Sequence, residues 1–229
     1  MNKLKDNVSY IIGFLLLIIA VIDLVKMIMS IDDGGIIRYL YDILFIIGAI
    51  VFILSNILGI MPVSGSKKVL FDEILGYLYS HAPRSEEMYK IPPELYGRLE
   101  KNKRDEEVLS LLAKDICAFC NIDSTDLTIH IQDDLAEAAG TFNAYYSEIH
   151  ISLINTRTAG EVLAVLIHEC MHYILREKKL RLESREKNEY LTDIACLYFG
   201  FGDYINKGYI LVGYLKRNEI RYLRKRISK

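Results

Sequence analysis

The chain has 229 residues, 52% hydrophobic and 25% charged, with a formal net charge of -2 at pH 7. A balance so close to neutral excludes a chain that binds nucleic acid through overall basicity. Its four cysteines, Cys117, Cys120, Cys170 and Cys196, lack the spacing of a secreted disulfide framework and fit a reducing compartment.

The apolar residues are concentrated at the start. Tyr10 to Met29 is a nearly continuous apolar run broken by Asp23 and Lys26, and Leu40 to Val63 is a second. As a helix, each run is long enough for the ~30 Å hydrocarbon core of a bilayer. Ile31-Asp32-Asp33-Gly34-Gly35 between them is turn-like. The pattern predicts a two-helix transmembrane hairpin over residues 1–63, with the lipid bilayer as partner. No small-residue cleavage site follows the first run, which disfavours a signal peptide. Lys3 and Lys5 precede the hairpin, Lys67 and Lys68 follow it, and Asp32 and Asp33 occupy its linker. By the positive-inside rule both ends are cytoplasmic. The expected location is therefore the plasma membrane of a prokaryote, with the remaining domain in the cytoplasm.

Residues 69–229 read as one α+β domain. Val69 to His81 has the period of an amphipathic helix, with Leu70, Ile74, Leu75 and Leu78 on one side. Pro83, Pro92 and Pro93 interrupt the chain before one or two helices over Glu94 to Cys120. Leu127 to Ile131 reads as a strand. Within Gly140 to Leu153, Ile149, Ile151 and Leu153 alternate with polar residues, as in a half-buried strand. Two helices follow, Thr158 to about Lys179 and Lys187 to about Phe201. A last helix is expected over Tyr209 to Arg226.

The chemistry is concentrated in His168-Glu169-Cys170-Met171-His172, an HExxH sequence on the first of those two helices. Residues four apart share a helix face, so both imidazoles can reach one ion, with Glu169 beside them to act on a water. Zn²⁺ with three protein ligands keeps a position for that water. The next helix carries Glu189-Tyr190-Leu191-Thr192-Asp193. Glu189 can supply a third ligand and Asp193 can orient a ligating imidazole. By spacing alone, Asp193 or a charged neighbour could be the third ligand instead.

HExxH followed by ExxxD resembles the gluzincin arrangement of zinc metallopeptidases. Membrane-bound HtpX-like peptidases show this pattern, and ImmA/IrrE-type peptidases show a related compact one. The resemblance covers roughly Ala139 to Gly202. It implies a zincin-like catalytic domain, with a small sheet and active-site helices, in which His168, His172 and Glu189 bind Zn²⁺ and Glu169 is the catalytic base. Asp193 would support a ligand from behind. The expected function is a membrane-anchored endopeptidase acting on protein or peptide substrates. The alternatives are a regulatory peptidase dedicated to one partner, such as a repressor, and a non-catalytic zinc-binding membrane adaptor.

Three weaker signals remain. The strand Tyr145 to Leu153 could offer an edge to an extended peptide. Cys117 and Cys120 form a CxxC that reads as core-facing. His81, His130 and His150 belong to no motif.

Overall fold

The computed structural model describes residues 62–84, 86–133, 135, 138–156, 158–208 and 214–228, together with 19, 23 and 43–50. The chain divides into two compact units, Met1–Pro62 and Val63–Lys229. Both apolar runs of the first unit lie almost wholly outside the described residues. Their described helical stretch, 43–50, rises about 12 Å at 1.5 Å per residue, against a hydrocarbon core of ~30 Å. No described helix is long and apolar enough to cross a membrane. This overturns the expected transmembrane hairpin over residues 1–63, and with it the integral plasma-membrane placement. Hydropathy reports that a segment disfavours water; spanning also requires about twenty consecutive helical apolar residues, and no described helix meets that requirement.

The second unit is α+β. Its described helices are α1 (Gly65–His81), α2 (Pro93–Lys101), α3 (Glu106–Phe119), α4 (Ala159–Glu177), α5 (Arg185–Tyr198), α6 (Gly202–Gly208) and α7 (Arg217–Ile227). Several termini follow from local sequence. Thr158 and Glu161 form a reciprocal capping box at the start of α4. Asp105 caps α3 through Val108 N, and Ser184 caps α5 through Lys187 N. α5 ends in a Schellman pattern, with Phe201 N donating to Cys196 O and Gly200 N to Leu197 O. Gly200 takes φ +98° there, and a Cβ on it would lie 2.5 Å from Glu87 O, so this position requires glycine.

Three short strands, β1 (Thr128–Ile131), β2 (Gly140–Asn143) and β3 (Glu148–Ile151), form one sheet in the order β1-β3-β2. β1 runs parallel to β3, and β2 pairs antiparallel with β3 through the turn 144–147. Of the expected strand Tyr145 to Leu153, Glu148–Ile151 alone is strand, and it is the central one, with both sides paired. The edge strand packed against α4 is β2. Ile129, Ile149 and Ile151 point into the core, while Thr128 and His130 stay exposed.

α4 is the centre of the unit. Fourteen of its 19 residues are buried, and it packs against α2, α3, α5, α6, β2 and β3. A helix covered on nearly every side needs apolar residues all round, which explains the run Val162 to Ile167. The four cysteines are buried and free, consistent with core-facing thiols. The last helix begins at Arg217, later than the expected Tyr209, and residues 209–213 lie outside the described set.

Candidate metal centre

His168 and His172 lie one turn apart on α4, on the face turned to α5. The connection between these helices is short and stitched by one side chain. Asn188 Oδ1 accepts from Leu182 N, and its Nδ2 donates to Leu182 O and Ser184 O. This turn returns the chain so that Glu189, in the second turn of α5, faces both histidines.

The three donor atoms form a nearly regular triangle. His168 Nε2 and His172 Nε2 are 3.1 Å apart, and Glu189 Oε2 is 3.5 and 3.4 Å from them. Tetrahedral bonds of about 2.0–2.1 Å place ligand atoms roughly 3.3–3.4 Å from one another. The residues present thus fit one ion without rearrangement, and among the described residues the donor group comprises these three. Two imidazoles and a carboxylate suit a late first-row divalent ion.

Each ring is held from behind. His168 Nδ1 donates to Asp193 Oδ1 at 3.0 Å. Asp193 is fully buried, and its Oδ2 accepts from Tyr214 N and Leu215 N at 2.9 and 3.1 Å. Thr192 Oγ1 donates to Asn188 O and lies 3.1 Å from His172 Nδ1, which leaves the hydroxyl oxygen to accept from that ring. Both histidines therefore carry their neutral-state proton on Nδ1 and turn Nε2 to the ion site.

The charges reinforce one another. Burial alone would lower the His168 pKa, but hydrogen bonds to Asp193 and Glu189 outweigh it and raise it to about 10 in the metal-free chain. Burial pushes Glu189 up, yet the hydrogen bonds from His168 and His172 dominate and hold its carboxyl below the usual range. Glu169 moves the other way: burial raises it, with the two histidines opposing.

β2 closes the other side of the site. A Cβ on Gly140 would lie 2.5 Å from Val165 Cγ1 and 3.0 Å from both Glu169 Cγ and Oε1. The absence of a side chain lets the strand approach the Glu169 carboxylate. Ser152 N donates to Ala139 O at 2.8 Å, so the antiparallel alternation directs the N–H and C=O groups of Gly140 and Phe142 away from β3. Among the described residues no strand pairs with that side of β2.

The structure brings together all five residues singled out in the sequence: His168, Glu169, His172, Glu189 and Asp193. Thr192 and Gly140 were not anticipated. Thr192 was legible in principle, since Glu189, Thr192 and Asp193 share a helix face at i, i+3 and i+4. Gly140 carried no local signal, because its neighbour Glu169 is 29 residues away. The chain matches no family model, no curated protein and no solved structure.

Proposed function

We propose that this chain is a zinc-dependent endopeptidase of the gluzincin type, acting on protein or peptide substrates. The observation that carries this reading is the triangle of His168 Nε2, His172 Nε2 and Glu189 Oε2, with a buried carboxylate, Glu169, beside it. Zn²⁺ held by these donors would supply a Lewis acid and, in its remaining position, a water whose pKa is lowered to about 7.

Glu169 is the proton carrier. Its carboxylate takes a proton from the attacking water as the new C–O bond forms, and passes it to the leaving nitrogen as the C–N bond breaks. A raised pKa suits a group that must hold a proton between two steps. Asp193 and Thr192 keep the ligand rings in one orientation. The free edge of β2 supports a peptide substrate, because the main chain at Gly140 and Phe142 can pair with an extended chain beside Glu169. A purely structural metal site has no use for a buried carboxylate at that place.

The test compares the full chain with Glu169→Gln. Both proteins should bind one equivalent of zinc, measured by plasma mass spectrometry. Hydrolysis of unfolded casein should fall by about 10²-fold or more in the variant. A wild-type chain that takes up no divalent ion, or hydrolysis unchanged by the substitution, would overturn the reading.

A further inference from the structure

Tyr145 and Tyr146 form the tip of the β2–β3 hairpin and are 86% and 63% exposed. A turn is served equally well by small polar residues, and an open aromatic ring forfeits its burial energy. The two rings meet edge to face with centroids 4.7 Å apart, making one composite apolar surface.

The tip is also held in place. Asn143 Oδ1 accepts from Tyr145 N at 3.1 Å. Arg176, one turn beyond His172, donates to Ala144 O at 2.5 Å and to Ser147 Oγ at 3.0 Å. Its guanidinium also lies over the rings of Phe142 and Tyr173. The helix that presents the metal ligands therefore fixes the exposed tyrosine pair.

The pair is continuous with the free edge of β2. That strand starts at Gly140, against Glu169, and runs to Asn143, where the tip begins. An extended chain adding antiparallel to β2 runs the opposite way, so its N-terminal part passes the tip before its later part reaches Glu169. From Gly140 to Asn143 the strand advances ~10 Å at ~3.3 Å per residue, and the tyrosine pair sits in the turn just beyond, about three to five residue steps from Gly140.

We infer that Tyr145 and Tyr146 form a recognition subsite for a large apolar side chain three to five residues N-terminal to the cleaved bond. The occupant is the substrate polypeptide itself, and the inference rests on the peptidase reading above. Burial against two rings favours aromatic and long aliphatic side chains over small or charged ones.

The experiment is a register scan with the full, zinc-loaded chain. A set of synthetic twelve-residue peptides carries a single Phe, or Ser in its place, at each position along the sequence. Cleavage sites and kcat/KM are read by mass spectrometry, for the wild type and for the double variant Tyr145→Ser/Tyr146→Ser. The wild type should prefer Phe over Ser by roughly fivefold at a position three to five residues upstream of the cut. In the double variant that ratio should fall to near one. No upstream preference, a preference only downstream, or a ratio unchanged in the variant would overturn the subsite. Should the variant not fold, the wild-type scan decides alone. Cleavage without upstream selectivity removes the subsite and leaves the peptidase reading standing; no cleavage of any peptide removes both.

Discussion

Thr192 Oγ1 and His172 Nδ1 lie 3.1 Å apart, and the same hydroxyl donates to Asn188 O at 2.9 Å. The backbone carbonyl thereby settles which way the hydroxyl faces, and the hydroxyl settles which nitrogen of His172 faces the candidate metal site. Thr192→Val keeps the shape and removes the acceptor. Zinc affinity should fall about 10- to 100-fold, measured by competition with a chromogenic chelator, while Thr192→Ser restores most of it. Equal affinity in all three proteins would mean that the ring needs no such support.

Asp193 serves two clients at once. Its Oδ1 accepts from His168 Nδ1, and its Oδ2 accepts from Tyr214 N and Leu215 N, just ahead of α7. Asp193→Ala leaves three donors without their acceptor. Zinc affinity should fall at least as far as in Thr192→Val, and the metal-free chain should lose about 1–3 kcal/mol in urea unfolding. A variant that loses affinity but no stability would show that water replaces the acceptor at residues 214 and 215.

The raised His168 pKa has opposite consequences for the metal-free and metal-bound chain. The folded pKa, about 10, lies above the ordinary imidazole value of 6.5. Protonation therefore favours the metal-free fold: the contribution is fully present below pH ~6.5 and is lost as pH rises through about 10. The ion needs the unprotonated ring, so apparent zinc affinity should climb about tenfold per pH unit over the same window. Urea midpoints of chelator-treated protein should fall from pH 6.5 to 10, and chelator competition should show affinity rising. A flat affinity profile would refute proton displacement at His168.

Gly140 should tolerate no side chain. Gly140→Ala places a methyl 2.5 Å from Val165 Cγ1 and 3.0 Å from Glu169 Oε1. Either β2 withdraws or the Glu169 carboxylate is displaced. The expected cost is about 1–3 kcal/mol, with zinc content retained and casein hydrolysis reduced by about tenfold or more. Activity equal to wild type would show that the strand can move without consequence.

Residues differ in how openly the sequence announced them. His168, Glu169 and His172 were legible because the helical period is local: any helix through Val162 to Leu175 brings residues four apart to one face. Glu189 and Asp193 were legible through their own i, i+4 spacing and a family resemblance. Cys117 and Cys120 were legible as core residues because Cys117 falls on the apolar side of α3 and Cys120, its C-cap, follows three residues on, also buried. The edge strand was misread. Alternation identifies a half-buried strand but carries no information on which neighbours it has, and β3 proved central. The hairpin expected over residues 1–63 is overturned as well, since no described helix is long and apolar enough to cross a membrane.

By itself, then, the sequence determined what depends on residues a few positions apart: the paired imidazoles, the adjacent carboxylate, the helix caps and the buried face of α4. Only the tertiary structure decided the relations across long intervals. These are the 3.4 and 3.5 Å approaches of Glu189 to the two histidines, the place of β2 against Glu169, and the tie from Asp193 to residues 214 and 215. Local periodicity follows from backbone geometry, which every helix and strand shares. Long-range approach follows from how packed elements share one core, and no short stretch of residues encodes that.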